Sequence, residues 1–315
     1  MNITIGPNEK GQSIDKFLKK WLKDVPLSAI FRAIRKGDIR VNGKKIKDKY
    51  ILEDGDAIEA KYIKSENKKE FIRIDQKLKI TYEDDNILVV EKKPGILVHK
   101  GEKIEETLTD QVLSYLFDKG DYQPEKEATF SPSPCNRLDR NTSGLVIFAK
   151  NYQALINLNQ MIRDRKIEKY YMALIKGKLK DGLYEGYIKK DERINKSVVI
   201  KEEEEGAKNI SMNIKTETTC GSFSLIEIEL MTGRSHQIRA HLNSLGHAII
   251  GDPKYGDKEI NNYFNNKYSL EYQYLYAYKL IFRDCPDYLS YLNNETILES
   301  IPPIYKRIKK EVFKF

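Results

Sequence analysis

Five apolar residues in a row, Leu145-Val146-Ile147-Phe148-Ala149, limit what this chain can fold into more than any other stretch. A β-prone run without polar alternation reads as a strand buried on both faces, which places it inside a sheet. The residues ahead of it, Asn136-Arg137-Leu138-Asp139-Arg140-Asn141-Thr142-Ser143-Gly144, are polar and form a loop pinned to that strand. Rigid scaffolds commonly carry their reactive groups in such loops. One carboxylate, Asp139, stands here between two arginines. Taken alone, it is better read as an ion-paired acid in a surface turn, because short motifs match by chance.

Around this strand, helical and strand patterns alternate. Ile87 to Glu91 reads as a strand, Lys93-Pro94-Gly95 as a turn, and Ile96-Leu97-Val98 as the strand resumed. Leu108, Val112, Leu113 and Leu116 keep helical spacing, as do Leu155, Leu158, Met161 and Ile162 behind a capping Asn151. Lys169 to Ile175 is a strand with Tyr171, Ala173 and Ile175 on one face and Tyr170 on the other. Phe223 to Met231 is another strand. Ser235 is positioned to cap a helix that buries Ile238, Leu242 and Leu245 and ends at Gly246, with Arg239 beside its buried stripe. Such a mixture predicts an α+β fold with a mixed sheet, not a doubly wound one.

Charge is concentrated at the other end. The net charge is +8, and Gly11 to Lys49 alone holds 12 Lys or Arg against four acids, a surplus of +8. That segment has two one-sided helices. Ile14, Phe17, Leu18, Trp21 and Leu22 mark the first behind Ser13; Ile30, Phe31 and Ile34 mark the second, which Gly37 ends. A hairpin turning at Asn42-Gly43 follows. A small core with a basic face is the footprint of a nucleic-acid-binding module. Residues 63–77 are polar, without sustained period, and read as a linker. The expected division is residues 1–62, the linker 63–77, and a second domain over 78–315.

Several chemistries are disfavoured. His236, His241 and His247 lie close in sequence, but i, i+5 spacing turns two helical side chains apart, and no His-Glu-x-x-His or cysteine pair assists them. No serine nucleophile elbow, phosphate loop or dinucleotide fingerprint is present, and no second acid stands out for a glycosidase-like pair. Cys135, Cys220 and Cys285 are few and far apart, which points to a reducing compartment. No run of 18 apolar residues and no signal-like N-terminus occur, so a cytoplasmic protein without membrane spans is expected. What remains is a carboxylate with arginines, and a carboxylate beside a guanidinium stays ionised and able to act as nucleophile or base.

Two resemblances sharpen this. The order "SIDKFLKKWL … LSAIFRAIRKGDIRVNGKKI … EDGDAIEA" resembles the alpha-L RNA-binding module. The resemblance implies that Arg32, Arg35, Lys36, Arg40 and Lys44 grip structured RNA through its backbone, which positions the protein without reading sequence. "EKKPGILVHKG", "RLDRNTSGLVIFAK", "EKYYMALIKG" and "LMTGRSHQIRAHLNSLGHAIIGDPKYG" resemble, in order, the motifs of the Rlu-type pseudouridine synthases over roughly residues 79 to 285. A fold is thereby implied with a largely antiparallel central sheet, flanking helices and the RNA-binding module in front.

The implied activity is isomerisation of uridine to pseudouridine in RNA, expected to be ribosomal RNA of the large subunit, with no metal and no nucleotide or other cofactor. By match to the motifs, Asp139 is the catalytic aspartate, whether it attacks ribose or base or acts through a glycal. Tyr171 stacks on the base and takes part in proton removal, Arg239 pairs with Asp139, and Arg137 fills the gap left by the flipped uridine. Flipping costs a few kcal/mol, which an inserted cation and an aromatic platform offset. Two departures concern contacts outside these residues: Asn136 stands where relatives often have His, and "LYAYKLIF" replaces a Leu-His-Ala-Tyr stretch. A monomer is expected. The competing readings are a non-catalytic RNA-binding or ribosome-assembly factor, and a hydrolase that releases uracil.

Overall fold

The computed structural model describes residues 1–63, 71–101, 105–125, 127, 129–191, 193 and 196–314. At the N-terminal end, β1 (Asn2–Thr4), α1 (Ile14–Trp21), α2 (Leu27–Lys36), β2 (Ile39–Val41), β3 (Lys44–Lys45) and β4 (Ala57–Ala60) form a small module. Its four strands pair in the order β1-β4-β2-β3. Ile14, Phe17, Leu18, Ile30 and Ile34 pack the two helices onto this sheet, as their spacing requires. Gly37 ends α2 in the left-handed region, and Asn42 and Gly43 both have positive φ, the conformation that a two-residue hairpin needs. Ser13 occupies the first cap position, but its side chain makes no cap hydrogen bond.

The larger sheet contains β5 (Lys79–Glu83), β6 (Ile87–Lys92), β7 (Ser133–Pro134), β8 (Ser143–Ala149), β9 (Ile167–Lys176), β10 (Gly182–Asp191), β11 (Lys196–Ile200), β12 (Lys208–Cys220), β13 (Phe223–Leu230), β14 (Leu275–Phe282) and β15 (Thr296–Leu298). Its path is β11-β10-β12-β13-β9-β14-β8-β6-β5, with β7 on β8 and β15 on β14. Only β14 and β8 pair in parallel; the other pairs among the described strands are antiparallel. The helices are α3 (Leu108–Lys119), α4 (Tyr152–Arg163), α5 (Gln237–Ser244), α6 (Lys258–Tyr268) and α7 (Pro303–Phe313). No described helix is long and apolar enough to cross a membrane.

Every residue of β8 is buried, as its unbroken apolar run requires. Leu145, Ile147 and Ala149 face the core under α4, and Val146 and Phe148 face the core under α3 and α5. The strand reaches its parallel neighbour through a glycine. Gly144 has φ +124°, and a Cβ there would sit 2.4 Å from the backbone nitrogen and oxygen of Ala277. Asn151 caps α4 by accepting from the Ala154 amide at 2.8 Å, and Tyr171, Ala173 and Ile175 share one buried face of β9.

Three local expectations are corrected. Residues 96–98 do not resume a strand: the Leu97 and Val98 carbonyls accept from the amides of Leu108 and Thr109 at the start of α3, and Leu97 forms only an isolated bridge with Thr107. Ser235 does not cap α5. His236, in the left-handed region, takes that position, and the Gln237 side chain accepts from the Arg234 amide at 3.0 Å. Leu245 lies just past α5 and is half-buried.

Of the expected linker 63–77, residues 64–70 lie outside the described residues. Residues 71–77 run along α3: the Phe71 ring packs at a tilt against Phe117, and the Ile74 amide donates to the Ser114 hydroxyl. The segment between β1 and α1 meets the larger part through the buried Glu9, which accepts from the amides of Thr129 and Phe130, and through Asn8, which accepts from the Tyr152 amide.

Candidate active site

The loop between β7 and β8 is braced from several sides. Asn136 acts as a surrogate strand partner: its side chain accepts from the Ile147 amide at 2.8 Å and donates to the Leu145 carbonyl at 3.2 Å. The Thr142 amide donates to the Asp139 carbonyl, closing a turn that presents Asp139 at the mouth of β8. Gln273 donates to the Thr142 hydroxyl at 3.0 Å from the segment before β14.

Lys92, at the end of β6, is fully buried under this loop. Its ammonium donates to the carbonyls of Lys93, Ile96 and Arg140 at 3.0, 2.9 and 2.7 Å. Burial pushes its pKa down to about 7, against the pull of the Asp139 charge.

A cleft of about 500 Å3 opens over the loop, lined by Arg137, Asp139, Tyr171, His236 and Arg239 among others. That volume is within the range of sites that enclose a small organic molecule. Asp139, Tyr171 and Arg239 arrive from three elements: the loop before β8, β9 and α5. Arg239 is 5% exposed, yet its side chain is fully engaged. Nη1 donates to Asp139 Oδ2 at 2.8 Å, while Nε and Nη2 donate to the two oxygens of Asp252 at 2.7 and 2.9 Å. The ring of Tyr255 lies under the guanidinium at 5.2 Å.

Burial opposes the charge of Arg239, but the bonds and charges of Asp252 and Asp139 outweigh it and hold its pKa above the ordinary value. Asp252 is itself fully buried; the Arg239 fork and the amides of Lys254 and Tyr255 overcome that burial and keep its carboxyl below the usual range.

Tyr171 is 5% exposed and lines the cleft. Burial, followed by the charge of Asp139, raises its pKa, so the ring presents a neutral phenol. The His236 ring contacts the Tyr255 hydroxyl at 3.0 Å, and burial lowers its pKa, so it too is neutral at pH 7. Asp139 Oδ1 takes no hydrogen bond from a described residue, so one carboxylate oxygen is left to the cleft while the other is held. An anchored carboxylate facing an aromatic surface can attack or deprotonate a group placed over it.

The structure thus brings Asp139, Tyr171, Arg239 and Arg137 to one cleft. Arg32, Arg35, Lys36, Arg40 and Lys44 lie elsewhere, exposed on α2 and the following hairpin. Arg40 also braces that turn, donating to the carbonyls of Gly37 and Gly43. Lys92, Asp252 and Gln273 escaped the sequence reading as site residues. The only available signal was that Lys92 and Asp252 fall inside the quoted motifs.

An α+β sheet thus carries an aspartate, an arginine and a tyrosine around one cleft, in a chain that also holds a basic four-stranded module. Residues 86–244 match the RNA pseudouridylate synthase family and residues 12–58 match the S4 domain; the chain belongs to the RNA pseudouridylate synthase family.

An RNA pseudouridine synthase of Mycoplasma capricolum, itself uncharacterized, is 35% identical over 96% of this chain and 98% of its own. Ribosomal large subunit pseudouridine synthase C of Escherichia coli K12 is 35% identical over 82% of this chain and 81% of its own. Among solved structures, human RNA pseudouridylate synthase domain containing 4 shares the fold, with a TM-score of 0.58 at 20% identity over 74% of this chain and 92% of that one. The chain is accordingly an RNA-modifying isomerase with an RNA-binding module.

Proposed function

We propose that this enzyme converts uridine to pseudouridine in large-subunit ribosomal RNA, with Asp139 as the catalytic carboxylate. The observation that carries the role is the one-sided grip of Arg239, which holds Oδ2 of Asp139 and leaves Oδ1 without a donor among the described residues, in a cleft that Tyr171 also lines. Tyr171 is the platform for the flipped base and is placed to take part in proton removal. Arg137, exposed on the cleft wall, fills the space that the uridine leaves. Isomerisation conserves atoms and electrons, so the reaction consumes no co-substrate. The name of the Escherichia coli relative supports the choice of RNA.

In this reading residues 1–62 form the RNA-binding domain, with Arg32, Arg35, Lys36, Arg40 and Lys44 on phosphates, and 63–77 join it to a catalytic domain over 78–315. The protein acts as a cytoplasmic monomer. Mapping pseudouridine in large-subunit ribosomal RNA from cells with and without the gene tests the assignment; sites that vanish on deletion support it, and an unchanged map contradicts it. Removal of residues 1–62 should weaken binding to structured RNA and flatten its salt dependence.

A further inference from the structure

Outside Gly11 to Lys49 the chain looks electrically neutral, but the balance hides a second basic element. Residues 303–314 hold five Lys or Arg against one Glu, a surplus of +4. With +8 in Gly11 to Lys49 and +8 overall, the rest of the chain is left at −4. The surplus lies on α7. Its inner face is committed: Tyr305 and Ile308 are buried, and Ile304 and Val312 pack with them against Leu174, Phe264 and Tyr274. Lys306, Arg307 and Lys310 are exposed and fall within an arc of about 100° on the helix, with Lys314 at its end.

α6 extends this face. Lys267, in its last turn, is exposed and sits over the rings of Tyr263 and Tyr268 at 5.7 and 5.1 Å. Arg307 joins the two helices, with its guanidinium 5.7 Å over the Tyr268 ring and Nη2 3.5 Å from the Lys267 carbonyl. Tyr263 is 54% exposed. Cations interleaved with an open aromatic ring suit a phosphate backbone with a base available for stacking. They do not suit a bilayer, because the apolar side of α7 is already used inside the protein.

We propose that the outer faces of α7 and the C-terminal end of α6 form a second RNA-contacting surface, separate from both the cleft and the N-terminal module. It rests on the reading of the protein as an enzyme of large-subunit ribosomal RNA. The contact is electrostatic and holds the phosphate backbone of the same RNA outside the cleft. It is mechanically tied to the catalytic loop: the Tyr305 hydroxyl donates to the Gln273 carbonyl, and the Gln273 side chain donates to Thr142.

The test uses the full chain with Lys306→Gln, Lys310→Gln and Lys314→Gln together, three exposed side chains whose loss should leave the thermal midpoint unchanged. Binding to a transcript of large-subunit ribosomal RNA is titrated over a series of salt concentrations. The expected result is affinity reduced roughly 10- to 100-fold near 0.1 M salt, with the slope of log K against log salt reduced by about 2. Affinity and slope equal to those of the unmodified protein overturn the proposal. So does an unchanged RNA slope accompanied by lost binding to phosphatidylserine vesicles. Binding is read without turnover, so a failure of the unmodified protein to form pseudouridine counts against the proposed function and leaves this result readable.

Discussion

Arg239 reaches Asp139 with a single nitrogen, Nη1, because Asp252 holds the other two that its fork presents. The bond is therefore directional. Asp252 fixes the guanidinium, the guanidinium fixes Oδ2 of Asp139, and Oδ1 stays available. A cation that could swing freely would instead chelate both oxygens and bury the reactive one.

Asp252 is accordingly a positioning residue, and Asp252→Ala leaves the buried guanidinium without its main partner. Stability should fall by about 3–5 kcal/mol in urea unfolding. In the fraction that remains folded, kcat should fall more than KM rises, because the carboxylate loses its orientation and the cleft keeps its walls. Full retention of kcat would show that the orientation of Asp139 is set elsewhere. Arg239→Lys should fail in the same way, since an ammonium cannot satisfy Asp252 and Asp139 with one planar fork.

Lys92 makes stability depend on pH in a definite direction. Its folded pKa is about 7, below the ordinary 10.5. Between those values the unfolded chain binds the extra proton, so the stability contribution grows as pH rises through that window. Relative to Lys92→Met, the natural protein should gain about 1 kcal/mol per pH unit above pH 7 in urea melts. Parallel curves for the two proteins would show that the buried ammonium keeps its ordinary pKa. The variant should also loosen the loop, since three carbonyls lose their donor.

Glu299 has the opposite sign. It is buried against Glu91, and neither of its carboxyl oxygens has a hydrogen-bond donor among the described residues. Burial, followed by the charge of Glu91, pushes its carboxyl up from 4.5 to about 9. The folded state keeps a proton that the unfolded state gives up, so stability is lost as pH rises across that interval. Glu299→Gln should stabilise the protein by about 1–2 kcal/mol near pH 8 and by little near pH 4. An equal effect at both pH values would show that Glu299 is not protonated in the folded state.

Gly144→Ala tests the close approach of β8 to β14. The added methyl would meet the Ala277 backbone at 2.4 Å, at a φ that alanine resists. A loss of about 3 kcal/mol is expected, together with weakened pseudouridine formation as the neighbouring loop shifts. A neutral effect would mean that the parallel contact can open without disturbing Asp139.

Much of this was legible in the chain because the relevant signals are local. The β8 run, the Asn151 cap, the shared face of Tyr171, Ala173 and Ile175, and the two amphipathic helices of the first module follow from spacing alone. The misreadings share one cause, a competing hydrogen-bond partner overriding the pattern. Residues 96–98 look like a strand until α3 takes their carbonyls, and Ser235 looks like a cap until Gln237 folds back over the Arg234 amide. Lys92 sits in a Lys-Lys pair that reads as solvated; its burial depends on a carbonyl of Arg140, 48 positions away. Asp252 lies within Gly251-Asp252-Pro253, and nothing local announces that it anchors Arg239, 13 positions away.

The most direct test replaces Asp139 with Asn, which keeps the side chain's shape and its bond from Arg239 while removing the charge. The purified variant and the unmodified protein are incubated with large-subunit ribosomal RNA, and pseudouridine is quantified beside RNA affinity. The account predicts pseudouridine formation lowered by at least about 1000-fold with affinity within a few-fold of the unmodified protein. Pseudouridine formed by the variant at an undiminished rate would contradict it.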